Sequence, residues 1–164
     1  MPISPRHPAA FMLALIITAG LAAGAWAAPL EAGQAVPALT LEDQHDKPLS
    51  VAPDTRILLF SADRAASDLA NEVLGKQAAG ALERRKVVYV ADISGMPSLV
   101  TRMFALPAMR ALPFPIGLAR EAGPVADLPR QKGAVTVIQL DAGRVAAVDY
   151  ARDSARLEQL LGQD

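Results

Sequence analysis

Ile57-Leu58-Leu59-Phe60-Ser61-Ala62-Asp63-Arg64 decides how this chain is read. Four consecutive apolar residues bounded by polar ones form the pattern of a strand buried on both sides. The run passes directly into Ser61-Ala62-Asp63-Arg64. Beyond it Leu69, Val73, Leu74, Ala78, Ala81 and Leu82 recur at helical spacing. Ser61, Asp63 and Ser67 are the available N-caps. A buried strand that ends at the start of a helix places polar side chains and free helix N–H groups at one sheet edge.

Outward from this unit the pattern repeats. Val87-Val88-Tyr89-Val90-Ala91 is a second buried strand ending at Asp92. Ser94-Gly95-Met96-Pro97 turns into another helix, with Pro97 in its first turn and Leu99, Met103 and Leu106 on one face. Val100 and Phe104 lie beside that face, and Pro107 is expected to stop the helix. Met96, Met103 and Met109 read as core filler, although flexible apolar side chains also suit a binding groove. Phe114 to Ala119 reads as a strand, with Pro115 at a strand start or sheet edge. Glu121 to Lys132 reads as loop, with room for one short turn. Val135 to Leu140 and Arg144 to Val148 form a hairpin turned by Asp141-Ala142-Gly143, with Gly143 at positive φ. Asp153 or Ser154 caps a last helix carrying Leu157, Leu160 and Leu161.

Upstream, Leu39-Thr40-Leu41 and Leu49 to Val51 form a hairpin across the polar turn Glu42 to Lys47. Before it, Arg6, the apolar run Phe11 to Ala23 and the small-residue site Ala25-Trp26-Ala27 read as a signal peptide, residues 1–27, with cleavage before Ala28. Residues 28–164 make one domain, and its location is predicted to be periplasmic. Strands separated by helices imply right-handed parallel crossovers. The fold class is α/β: a mixed sheet with helices on both faces and an N-terminal β-hairpin.

Composition limits the functions available. The chain has 16 Lys and Arg against 17 Asp and Glu, a formal net charge of -1. Its cations are scattered, and the run Arg84-Arg85-Lys86 falls where a helix should end. No basic stripe exists for nucleic acid. The single tryptophan, Trp26, lies in the signal segment. Phe60, Phe104, Phe114, Tyr89 and Tyr150 read as core, so stacking surfaces for bases or flavin are scarce. After signal cleavage no stretch resembles a membrane span. There is no G-x-G-x-x-G between a strand and a helix and no P-loop, and no cofactor is expected. Glu42, Asp43, His45 and Asp46 read as a solvated turn, since a metal site there would lack a second nitrogen or sulfur ligand.

The layout resembles the thioredoxin-like superfold, and its peroxiredoxin branch in particular. Gly33-x-x-Val36-Pro37-x-Leu39-x-Leu41-x-Asp43-Gln44, then Lys47-Pro48-Leu49, resembles that branch's N-terminal hairpin. The strands at Ile57 and Val87, the segment Phe114-Pro115-Ile116 and the closing hairpin follow in the same order. Through Val88-Tyr89-Val90-Ala91-Asp92-Ile93-Ser94-Gly95-Met96-Pro97 the chain also resembles a group of small exported proteobacterial proteins, sometimes labelled FAD/FMN-containing dehydrogenases. The redox families place a nucleophilic cysteine where the first core strand meets its helix. This chain contains no cysteine. A serine hydroxyl there does not cycle through sulfenic acid or form a disulfide. Thioredoxins place a cis-proline before the closing hairpin, where Gly133-Ala134 stands here. Peroxiredoxins place an arginine near that point, where Lys132 is the nearest cation in sequence.

The candidate site is therefore the shared edge of the two buried strands: Ser61, Asp63, Arg64, Asp92 and Ser94. A helix N-terminus holds anions, Arg64 could add a charged clamp, and ligands of open α/β sheets collect at strand C-termini. Each residue also has a plain role as a cap or a solvated charge. The expected function is an exported, non-redox thioredoxin-like module that binds an envelope protein or a small ligand. An oxidoreductase using a bound flavin is the alternative.

Overall fold

The computed structural model describes residues 29–162. The expected signal segment lies outside the described residues. Seven strands form one sheet in the order β2-β1-β5-β4-β3-β6-β7. At its centre, β3 (Ile57–Ser61) and β4 (Val87–Asp92) pair in parallel, with Ile57 opposite Val87 and Ser61 opposite Ala91. Their C-terminal ends therefore share one sheet edge. β5 (Gly117–Ala119) continues the parallel set beside β4. Pro115 precedes this strand, and β5 is an interior strand that pairs also with β1. The N-terminal hairpin of β1 (Thr40–Glu42) and β2 (Pro48–Ser50) extends the sheet beyond it.

On the other side β3 pairs antiparallel with β6 (Val135–Asp141), which turns into β7 (Arg144–Ala151). Ala142 and Gly143 between them take φ of 46° and 76°. Two successive left-handed residues make the tight turn whose twist matches a hairpin.

Alternation along β3 divides the core. Ile57 and Leu59 join the cluster beneath α1 (Arg64–Gly75), α2 (Ala81–Arg84) and α5 (Ser154–Leu161). Leu58 and Phe60 join a second cluster with Leu30, Leu39, Val125 and Leu128. The second face is covered by the short 3-10 helix Gly123–Val125 and the segments around Leu30 and Leu128. The last helix is capped by Asp153, whose carboxylate accepts from the Arg156 N–H.

Two helices differ from expectation. The apolar periodicity from Leu69 to Leu82 is carried by two elements. α1 ends at Gly75, and Gly80 enters α2 at φ 70°, in the left-handed region. Leu74 and Leu82 nonetheless pack in the same cluster, which is why their spacing reads as one helix.

Pro107 does not stop the other helix. Pro97 stands just before it as the N-cap, and α3 (Ser98–Val100) runs through a π-helical segment, Thr101–Ala105, into α4 (Leu106–Arg110). The Leu106 N–H donates to the Thr101 carbonyl five residues back. A regular α turn would need an N–H at residue 107 and would press the proline ring on the carbonyl of Met103. The widened π turn relieves that conflict.

One inserted residue shifts the helical phase by about 100°. Leu106 and Met109 consequently pack on the core. Leu99, Val100, Met103 and Phe104 face solvent, with Leu99 and Phe104 each 66% exposed. The expectation that Phe104 and Met103 belong to the core is thereby corrected. Of the other aromatics, Phe60, Tyr89 and Phe114 are buried and Tyr150 is half-buried.

Candidate functional site

Ser61 closes β3 with its side chain turned into the core. It is fully buried, and its hydroxyl lies 3.0 Å from the Tyr89 hydroxyl and 2.9 Å from that of Ser67. Burial raises the Tyr89 pKa above the ordinary tyrosine value, against the opposing effect of its hydrogen bond to Ser61. Tyr89 therefore stays a neutral hydroxyl. Ser61 is a core hydrogen-bonding residue with no access for a ligand.

Asp63 is the helix cap. Its backbone is extended (φ -151°, ψ 172°) and its Oδ1 accepts from the Ala66 N–H at 3.0 Å. The second oxygen, Oδ2, accepts from the Gly133 N–H at 2.7 Å. Gly133 sits just before β6 with φ 71°, a backbone state natural to glycine. These amides, Gly133 foremost and then Ala66, hold the Asp63 carboxyl below its usual pKa, with Lys132 adding a smaller effect. The helix N-terminus that could hold an outside anion is thus occupied by the chain's own carboxylate. That carboxylate also ties α1 to the loop before the closing hairpin.

Arg64 does not clamp this site. Its side chain is 94% exposed and sits 3.6 Å from Asp68 one helical turn on. Such a pair contributes little in water.

Asp92 and Ser94 form a separate group. Ser61 faces Ala91 across the parallel ladder, so Asp92, the next residue, points to the opposite face of the sheet. Its Oδ1 accepts from the Ser94 N–H at 3.0 Å and from the Ser94 hydroxyl at 2.7 Å. Its Oδ2 lies 3.1 Å from the Arg130 guanidinium, with the Asp92 side chain only 9% exposed. Arg130 also donates to the Val125 carbonyl and stacks 5.1 Å from the Phe60 ring centroid. The five expected residues therefore do not form one cleft. Ser61 and Asp63 close the helix start, Asp92 and Ser94 join Arg130 over the second core cluster, and Arg64 stands outside both.

Two residues carry more than their sequence setting indicates. Arg130 lies in a stretch that reads as loop, and its role depends on Asp92 and Phe60, which are far away in sequence. Gln44 lies in the turn that reads as solvated, yet it is 1% exposed. Its amide donates to the Phe114 carbonyl at 2.7 Å and accepts from the Ile116 N–H at 2.8 Å. Asp43 beside it accepts from the His45 and Lys47 N–H groups. Asp46 pairs with Arg110 and Arg120. The turn is a built junction between the N-terminal hairpin, the end of α4 and the entry to β5. Among the described residues no group of three candidate metal ligands occurs, and no helix is long and apolar enough to cross a membrane.

No protein-family model matches this chain, and no curated protein matches it. Solved structures do. A candidate protein disulfide isomerase from Bacteroides thetaiotaomicron is 12% identical, with TM-score 0.55, covering 82% of this chain and 87% of that one. Peroxidoxin BcpB from Mycobacterium tuberculosis is 15% identical, with TM-score 0.53, covering 80% of this chain and 94% of that one. The thioredoxin domain of thiol-disulfide oxidoreductase BVU-2223 from Bacteroides vulgatus is 13% identical, with TM-score 0.51, covering 81% and 99%. At these identities the likeness carries the fold: this is a thioredoxin-like mixed sheet in a chain without cysteine. Chemistry lives in sites rather than folds, and it does not transfer with the topology.

Proposed function

We propose that this chain is an exported, non-redox thioredoxin-like module that binds another protein in the cell envelope. The observation that carries the reading is the double use of the Asp63 carboxylate, on the Ala66 and Gly133 N–H groups. In a thiol enzyme, the start of the helix after the first core strand must present a reactive group and leave room for its substrate. Here the position holds a carboxylate with both oxygens engaged, in a chain that has no thiol. The reading keeps the fold as a scaffold and moves recognition away from that helix start. Export rests on the signal-like residues 1–27, with the mature domain beginning at Ala28 and residing in the periplasm.

An oxidoreductase carrying a flavin is the competing reading, prompted by the likeness around Val88 to Pro97. The absorbance spectrum of protein purified from the envelope fraction separates the two. The proposal expects tyrosine absorbance alone, with no flavin bands, and no turnover in insulin-reduction or peroxide-consumption assays. A flavin spectrum, or activity above a heat-killed control, overturns it. Intact mass tests the export reading, which expects a chain starting at Ala28.

A further inference from the structure

The interrupted helix 98–110 presents the large exposed apolar side chains found among the described residues. Leu99, Val100, Met103 and Phe104 are 66%, 41%, 58% and 66% exposed. Beside them lies a groove of about 170 Å³, lined by Ile93, Met96, Thr101, Arg102 and Leu106, with Arg120 also at its wall. Arg120 is balanced by Glu42 and Asp46. The Arg102 guanidinium has no hydrogen-bond or ion-pair partner among the described residues. Apolar side chains clustered around a free guanidinium are unusual for a surface with nothing to bind.

We propose that this face docks a polypeptide segment combining apolar anchors with a carboxylate. The apolar side chains would cover Leu99, Met103 and Phe104, one would enter the groove, and the acid would pair with Arg102. The proposal deepens the binding-module reading and rests on it. Four arguments favour this occupant. The groove is below the range of roughly 300–1,000 Å³ used by small-molecule sites, and its size suits a single side chain. The unpaired cation calls for an acid. A second copy of this chain on a two-fold axis would bring the same surface against itself, setting two Arg102 side chains in one interface whose acids, Glu42 and Asp46, already pair with Arg120. An amphipathic element on a bilayer lies flat in the interface and would leave a discrete groove unused.

The surface exists because of Pro107. Without the π segment that accommodates it, Leu99 and Met103 would share a stripe with Leu106 and be drawn toward the core. Sequence periodicity thus hides a recognition face inside what reads as core.

The test selects binders from a random-peptide display library against the purified protein. Affinity of labelled winners is then measured by fluorescence anisotropy. The expected winners carry Leu or Phe with Asp or Glu. Phe104→Ser should weaken them about tenfold or more, and Arg102→Glu should do the same while shifting selection toward Lys-bearing peptides. Both positions are exposed, so both variants should keep the thermal midpoint of the parent. Failure to enrich acidic, apolar peptides overturns the proposal. So does concentration-dependent dimerisation, or binding to phosphatidylglycerol vesicles, that Phe104→Ser abolishes. Winners indifferent to both substitutions would leave the binding-module reading standing and remove only this surface. A flavin spectrum or thiol-assay turnover would remove the module reading itself.

Discussion

The helices that follow β3 and β4 leave the same edge of the sheet, yet they treat their surroundings in opposite ways. The first starts at Asp63, whose carboxylate satisfies one N–H of its own helix and one of the facing loop. The second opens without a side-chain cap at Pro97 and carries four large apolar side chains into solvent. One helix start is closed by its own chemistry, and the first half of the other helix leaves its apolar side chains exposed. A thioredoxin-like fold without a thiol need not bind at that helix start. On the proposed reading, recognition lies one crossover away.

The largest predicted effect removes the support of the open side. Gln44→Ala would strip partners from the buried Ile116 N–H and Phe114 carbonyl. Each buried polar group left unpaired costs about 1–3 kcal/mol, so the combined loss should be about 2–6 kcal/mol. Urea unfolding measures it. A loss under about 0.5 kcal/mol would show this turn to be the solvated loop that its composition implies.

Asp63 comes next. Asp63→Ala removes both the cap and the link to Gly133, and should cost about 1–3 kcal/mol. Asp63→Asn retains one oxygen for one N–H and sets its amide hydrogens against the other, so about 1 kcal/mol is expected. Equal losses for Ala and Asn would mean that only one of the two contacts matters. The pH dependence follows in sign. The Asp63 pKa is lowered in the fold by the Gly133 and Ala66 amides, so as pH falls the unfolded chain takes up this proton first. The stabilisation is complete above pH about 4 and is lost as pH drops through the folded-state value. Comparing parent and Asp63→Asn between pH 6 and pH 2 should show a shallower acid decline in the variant, in the range set by these carboxylate values.

The smallest stability effect belongs to the open side. Phe104→Ser should leave stability within about 0.5 kcal/mol, because the ring is 66% exposed. A loss above about 2 kcal/mol would place the ring in a packed setting and end the contrast between the two helices.

Most of the architecture was readable because its signals are local. The runs Ile57 to Phe60 and Val87 to Ala91, the Asp141-Ala142-Gly143 turn and the cap at Asp153 each depend on neighbouring residues. The site was less legible. Sequence places Ser61, Asp63, Asp92 and Ser94 at one sheet edge, which is where they are. It does not say that pleating sends Ser61 and Asp92 to opposite faces once the ladder sets Ser61 against Ala91. Nor does it disclose long-range partners: Gly133 for Asp63, Arg130 for Asp92, Phe114 and Ile116 for Gln44. The misplacement of Phe104 and Met103 has a single cause. Periodicity assumes an unbroken α-helix, and the π segment at Thr101–Ala105 shifts the phase. The proline that produces that shift reads in sequence as an end.

The contrast between a closed helix start and an open helix face is tested most directly by amide chemical-shift mapping. Labelled protein is titrated with an acidic, apolar peptide selected from the display library. The account predicts shift changes concentrated on residues 93–106, with the amides of Ala66 and Gly133 unmoved. Changes centred on Ala66 and Gly133, with residues 98–106 silent, would contradict it and return recognition to the site where the fold's thiol enzymes work.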